Sequence, residues 1–368
     1  MRRLAVFGLS LSSSWGNGHA ITYRGLLREL AARGWQVTFL ERDVEWYRSN
    51  RDTPRPSFCE LVLYEDWRST QTAATEADVV LLGSYVPDGQ AILDWLHHQD
   101  RPLVFYDIDT PITLTALNDE RQTEYLRADH IPAFQSYLSF TGGPALDELR
   151  HAWGARQAEA LYCGVDTQTH RPAPPDPRFA CALGYMGTYA PDRQPLLQEL
   201  LVEPARSLPR QRFLIAGAQY PEMSLPPNVE YQVHLYPRDH AAFYCSNRLT
   251  LNLTRAAMRR YGWSPSTRLF EAAACGACIV SDTWPGLEAL LAPDDEVLLA
   301  ESRADVLRHL TTLSDERRQR IGEAARRRVL AEHTYQRRAA QLEAVLEGAL
   351  AGQRRAGGRA GGRAGVRV

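Results

Sequence analysis

Arg268 and Glu271 stand three residues apart in the segment SPSTRLFEAAACGACIVSD, residues 264–282. On a helix that spacing puts both side chains on one face. A guanidinium there suits a diphosphate, and a carboxylate one turn on suits the paired hydroxyls of a ribose. Ser264, Ser266 and Thr267 read as caps at the start of this helix, whose positive end also favours an anion. Upstream, the apolar run ending at Met186 leads into Gly187, Thr188 and Tyr189, with Arg193 in the first helical turn after Pro191. Glycine allows close backbone approach, Thr188 can donate to a phosphate oxygen, and Arg193 supplies charge. Asn252 and Arg255 end another strand-like run, and Tyr236 precedes a further helix. Gly187, Thr188, Tyr189, Arg193, Tyr236, Asn252, Arg255, Ser266, Thr267, Arg268 and Glu271 therefore form a candidate nucleotide-binding set.

The first half of the chain offers a second group. The loop SLSSSWGNG, residues 10–18, joins a strand to a helix, and Asn17 and Gly18 are assigned to the same ligand because backbone amides and a helix start favour an anion. The loop lacks the GxGxxG dinucleotide fingerprint. His19 opens the helix and can serve as a general base, as a hydrogen-bond donor to a sugar or phosphate, or as a cap. Asp107 and Asp109, in YDIDTP, follow a buried strand, and alternation points them the same way. They read either as a carboxylate pair that binds hydroxyls or takes a proton, or as turn and cap residues. His19, Asp107 and Asp109 are the catalytic candidates. No further ligand accompanies the two aspartates, so no metal and no cofactor are expected.

The composition narrows these possibilities. All 42 basic residues are arginine, which excludes a P-loop lysine, a Schiff-base lysine and a Ser-Lys nucleophile pair. A phosphate site in this chain must use arginine, backbone amides or both. The formal charge of -2 gives no overall attraction to nucleic acid, and none is expected as a partner. The six cysteines are scattered apart from Cys275 and Cys278, and no apolar run reaches the roughly 18 residues of a membrane span. A reducing cytoplasm is the expected compartment. Cys275-Gly276-Ala277-Cys278 is formally CxxC, but it lies at a helix C-terminus, where a thiolate gains nothing from the helix, so it reads as two buried small residues.

The elements that must position these groups alternate regularly. Apolar runs at Leu4–Leu9, Val37–Leu40, Val79–Leu82, Leu103–Tyr106, Tyr137–Phe140 and Ala160–Cys163 are separated by helical patterns such as Ala20–Arg33. Their unbroken apolar character is that of buried parallel strands. Pro172, Pro174, Pro175 and Pro177 then interrupt the pattern, which restarts at Cys181. The chain thus predicts an α/β protein of two Rossmann-like, doubly wound domains facing a central cleft. An N-terminal Rossmann-like domain takes residues 1–165, a Pro-rich linker 166–178, and a C-terminal Rossmann-like domain 179–333. A helix at 334–351 can cross back to the first domain, and residues 352–368 form a Gly/Arg tail with no core former, read as disordered. The stretches Val44 to Ser69 and Leu114 to Pro132 carry no interpretable pattern and read as loops.

With these motifs assembled, the chain resembles the CgeB-like glycosyltransferases, relatives of the group-1 glycosyltransferases with the GT-B fold. The resemblance rests on SSWGNGHAITYRGLLRELAARG with FLERD, YDIDTP, CGVD, GYMGTYAPDR, LNLTR and STRLFEAAACGACIVSDTWPGLE, and it extends to about Gly348. It implies a metal-independent hexosyl transfer from a UDP- or dTDP-type sugar to an unknown acceptor. The donor would bind mainly to the C-terminal domain and the acceptor mainly to the N-terminal one. It also implies that Glu271 holds the ribose, that Arg193, six residues after Gly187, holds the diphosphate, and that the outcome is retaining. Group-1 enzymes often carry a second acid eight residues before the ribose acid; here that position is Trp263. A nucleotide-sugar epimerase of the same fold and a non-catalytic nucleotide-sugar-binding protein are the alternatives.

Overall fold

The structure is a computed structural model that describes residues 2–16 and 18–361, with side chains to Gln353. The chain divides into two units, one of residues 1–162 with 336–368 and one of residues 163–335.

The first unit is built on seven parallel strands: β1 (Arg2–Phe7), β2 (Trp35–Arg42), β3 (Glu60–Tyr64), β4 (Val79–Gly83), β5 (Leu103–Asp107), β6 (Ser136–Ser139) and β7 (Ala158–Ala160). Their order is β3-β2-β1-β4-β5-β6-β7. Every residue of β4, β5 and β6 is buried, because helices cover both faces of the sheet and neither face meets water. The order reverses at β1, which lies between β2 and β4, so the loops after β1 and β4 flank the crevice where a doubly wound sheet binds its ligand. Strand β3 lies in the stretch read from sequence as a loop. It is an edge strand with only Tyr64 buried, which leaves little apolar pattern to detect. The second such stretch likewise holds a helix, Thr110–Glu120, and a 3-10 turn, Ala128–Ala133.

The long helix Tyr335–Gly361 packs on this unit from Gln336 onward. Ala339, Leu342 and Leu346 are buried, Glu343 pairs with Arg2 and Arg33, and Gln341 donates to the Ala160 carbonyl at 2.6 Å. The helix passes the point where the sequence suggested a disordered tail, continuing from residue 352 to Gly361; the rest of that tail lies outside the described residues.

The second unit repeats the plan with β8 (Cys181–Met186), β9 (Phe213–Ala216), β10 (Val229–Gln232), β11 (Asn247–Asn252), β12 (Ile279–Ser281) and β13 (Leu298–Leu299). They are ordered β10-β9-β8-β11-β12-β13, with the reversal between β8 and β11. The core packs Leu183, Phe213, Ile215, Leu249, Leu251 and Val280 beneath helices that contribute Leu200, Leu201, Val306 and Ile321. The proline-rich stretch is part of this unit and not a free linker. The Ala173 amide meets the Cys245 sulfur at 3.3 Å, and the Asp176 amide donates to Ser246 Oγ at 2.7 Å.

Two glycines fix the edge of this sheet. A Cβ on Gly217, whose φ is +159°, would lie 1.9 Å from the Gly187 carbonyl oxygen, so the chains after β8 and β9 pass too closely for a side chain. Gly217→Ala is expected to cost roughly 1–3 kcal/mol, the usual price of overpacking, and to lower the melting temperature in calorimetry. An unchanged melting temperature would show that this close approach is not required.

Candidate functional site

In the first unit a buried carboxylate organises the loop after β1. Glu41, on β2, is fully buried. It accepts hydrogen bonds from the Leu11 and Ser12 amides at 2.7 and 2.9 Å and from the Ser12 hydroxyl at 2.6 Å. Arg24, on the helix His19–Ala32, donates to the Leu11 carbonyl at 2.7 Å and pairs with Asp52, whose amide donates to the Ser12 carbonyl at 3.1 Å. The loop is therefore held from both sides. Gly18 caps the helix at an ordinary φ of −87°, and Asn17 lies outside the described residues.

His19 and Asp109 form a dyad, with His19 Nε2 2.8 Å from Asp109 Oδ2. The imidazole is nearly buried, its Nδ1 has no hydrogen-bond partner, and the edge of Tyr85 packs on the ring at a centroid distance of 6.1 Å. Tyr85 follows β4 in the left-handed region, at φ +59°, which is uncommon for an aromatic residue. Asp109 is the more exposed member, with 18% of its side chain accessible against 8% for His19.

Asp107 differs from the sequence reading of a carboxylate pair. Asp107 is fully buried at the end of β5. Its Oδ2 accepts from Tyr137 Oη at 2.6 Å, and its Oδ1 accepts from Thr113 Oγ1 at 2.9 Å and from the Asp109 amide at 3.1 Å. The two aspartates thus take separate parts, because β5 has ended by Ile108 and strand alternation no longer applies. Asp109 turns toward His19 while Asp107 anchors the turn.

In the second unit the groups at the β8 edge carry positive charge. Arg193 precedes the helical turn Gln194–Leu197, is 9% exposed, and donates through Nη2 to the Thr188 carbonyl. Arg268 lies in the helix Thr267–Ala274, and its Nη1 would be 3.1 Å from a Cβ on Gly187. The Nε atoms of both arginines are buried without partners. Among the described residues no carboxylate oxygen lies within 4.0 Å of either guanidinium. Burial pushes Arg193 below its ordinary pKa, and the positive charges of Arg268 and Arg255 push the same way. Two neighbouring cations with free, buried N–H groups and no carboxylate partner among the described residues can hold an anion.

Several of the remaining candidates serve the framework. Ser266 is the N-cap residue by position, but its hydroxyl donates to Asn252 Oδ1 at 2.7 Å and does not cap the helix. Asn252 also donates to Ser281 Oγ at 3.0 Å, so its side chain ties β11 to β12 and to the helix start. Arg255 is occupied by Asp192 at 3.4 Å. Thr267 begins the helix, Tyr189 packs its edge on Tyr220 at 5.5 Å, and Tyr236 is 47% exposed beside His234. Glu271 is buried on the same helix as Arg268 and accepts from Tyr244 Oη at 3.2 Å. His170 and His240 stand beside it, at 3.8 and 4.0 Å. Sequence reasoning missed both histidines, since His170 sits in the segment read as a linker and neither belongs to a spaced motif. Glu41 was quoted only within FLERD, and its anchoring role had no local signal.

Residues 193–344 match the sequence model of a family described as "Glycosyl transferase-like", a span that contains Arg193, Arg268 and Glu271. No curated protein sequence matches the chain. Among solved structures the chain is similar to an alpha-glucosyltransferase in complex with UDP, at a TM-score of 0.70 and 12% identity over 94% of this chain and 100% of that one. It is similar to HepE from Anabaena in complex with UDP and glucose, at 0.68 and 12% over 95% and 100%. A sucrose-phosphate synthase from Thermosynechococcus elongatus gives 0.67 and 15% over 96% and 100%. The fold is GT-B. In this GT-B chain both strand orders reverse beside the first strand of the sheet, next to the His19–Asp109 dyad in one unit and the Arg193–Arg268 pair in the other.

The setting of Asp107 generates a pH prediction. Burial pushes its carboxyl from 3.8 up to about 6, although Tyr137 and Thr113 donate to it. Between those values the folded protein holds a proton that the unfolded chain releases, so stability falls as pH rises through the window. The loss is roughly 3 kcal/mol. Asp107→Asn is expected to flatten the fall in denaturant-derived stability between pH 4 and about 6 by roughly that amount. Equal slopes in parent and variant would contradict the assignment.

Proposed function

We propose that the protein is a glycosyltransferase of the CgeB-like branch that moves a hexosyl group from a UDP- or dTDP-type sugar to an acceptor. The observation that carries this reading is the pair of arginines, buried Arg193 and half-buried Arg268, whose Nε atoms are buried without partners and which have no carboxylate partner among the described residues at the ligand edge of a doubly wound sheet. The UDP present in the similar structures supports the same ligand class.

The donor diphosphate takes the free N–H groups of both arginines and approaches the backbone at Gly187 and Thr188. Glu271, one turn after Arg268, accepts from the ribose hydroxyls, and the exposed ring of Tyr236 offers a stacking face for the base. As the bond from the anomeric carbon to the diphosphate breaks, its electron pair and charge pass to the diphosphate, where the arginines stabilise them without a metal ion. The acceptor oxygen bonds to the same face of that carbon, which gives retention, and its proton leaves to the departing diphosphate. The His19–Asp109 dyad belongs to the first unit, to which we assign the acceptor. Asp109 accepts a hydrogen bond from the acceptor hydroxyl, His19 fixes the carboxylate, and Asp107 fixes the turn that carries it.

Arg193→Ala and Arg268→Ala are each expected to weaken UDP binding by roughly 10–100-fold, since each removes charge-assisted hydrogen bonds worth about 1.5–3 kcal/mol. Isothermal titration calorimetry reads the change. Asp109→Asn is expected to lower kcat on the order of 10²-fold through lost positioning, with donor affinity unchanged. Parental UDP affinity in both arginine variants would remove the donor-site assignment. Isomerisation of the donor sugar without an acceptor would replace transfer by epimerisation.

A further inference from the structure

His170, His240 and Glu271 form a compact cluster inside the second unit, with His170 and Glu271 buried and His240 partly so, and their ligand atoms all lie within 4.8 Å of one another. His170 Nε2 is 3.5 Å from His240 Nδ1 and 3.8 Å from Glu271 Oε1, and His240 Nδ1 is 4.0 Å from Glu271 Oε2. These separations are long for hydrogen bonds, whose usual range is about 2.7–3.2 Å. They fit a different geometry. A cation bound at about 2.0–2.1 Å by tetrahedral ligands sets the ligand atoms about 3.4 Å apart, so side-chain shifts of roughly half an ångström to one ångström would close the three groups around one ion.

The surroundings favour the same arrangement. His240 Nε2 lies 3.2 Å from the Leu235 carbonyl oxygen, a partner that can only accept, so Nε2 carries the proton and Nδ1 presents its lone pair to the cluster. A metal-binding histidine usually makes such an outer hydrogen bond. His170 is 3% exposed, and its Nδ1 is buried without a partner, so the ring gains no hydrogen bond on its outer side that would account for its place beside a carboxylate. Glu271 is 4% exposed, and its one side-chain hydrogen bond among the described residues comes from the neutral Tyr244 hydroxyl. A buried carboxylate held by so little gains from a positive charge.

We propose that His170, His240 and Glu271 form a binding site for a divalent transition cation of the zinc class. Two imidazole nitrogens and one carboxylate suit zinc and disfavour magnesium and calcium, which prefer all-oxygen shells. Three protein ligands leave a fourth position for water or another ligand. The site is separate from the diphosphate chemistry, in which the arginines carry the positive charge. Glu271 takes part in both, since a carboxylate has about four lone-pair sites and can meet a cation and a ribose hydroxyl together.

The test uses the full chain after chelator treatment, titrated calorimetrically with zinc alone, so that it does not depend on the donor-site assignment. The parent is expected to bind one zinc per chain and to melt at a higher temperature when it is bound. His170→Ala and His240→Ala are each expected to weaken binding by at least roughly 100-fold. Absence of stoichiometric binding, or parental binding in both variants, would overturn the site. If the variants do not fold, X-ray absorption of the zinc-loaded parent decides. A first shell of two imidazole nitrogens and carboxylate oxygen supports the site, and sulfur in that shell overturns it.

Discussion

The structure of the second unit depends on holding two guanidinium groups near one another with no carboxylate partner among the described residues. Arg193 is nearly buried, and Arg268 depresses its affinity for a proton. Such a pair is unfavourable in isolation and persists only when its surroundings over-determine it. The surroundings do so by backbone packing. Gly187 and Gly217 let the chains after β8 and β9 pass within contact distance, which brings the Thr188 carbonyl to Arg193 and the edge of Gly187 to Arg268. The helix that carries Arg268 is in turn tied to β11 and β12 through Ser266, Asn252 and Ser281. Residues that first read as ligand contacts are, in these cases, the supports that hold the cations in place.

The first unit applies a buried carboxylate to a similar end. Glu41 gathers the amides and hydroxyls of the loop after β1, and Asp107 gathers Tyr137, Thr113 and the Asp109 amide. Each binds a loop to the sheet, and each is satisfied by neutral donors. The outcome is a His19–Asp109 dyad in which the carboxylate is the more accessible side chain. The sequence reading, which left His19 open as a base, a hydrogen-bond donor or a cap, did not foresee that its free nitrogen would be buried.

Legibility from sequence followed the range of the forces involved. Buried parallel strands were evident because they are apolar on both faces, as in VVLLG and LVFYD. That Arg268 and Glu271 share one helix was legible because helical periodicity is local, and that Arg193 lies by Thr188 because glycine and cation lie on one loop. The edge strand Glu60–Tyr64 was missed because one exposed face and an open edge leave it little apolar character. The proline-rich stretch was read as a linker because its anchors, Cys245 and Ser246, lie about seventy residues away. The same separation hid His170 and His240, which meet only once the chain is folded. Asp107 and Asp109 were paired by strand alternation, and the strand ends between them.

The central claim is that the two arginines hold a diphosphate, and comparing ligands on the unmodified protein tests it most directly. Melting temperatures measured with UDP, UMP and uridine at equal concentrations separate the charge from the nucleoside. The expected result is a rise with UDP that is much reduced with UMP and lost with uridine. A rise with uridine equal to that with UDP would contradict it.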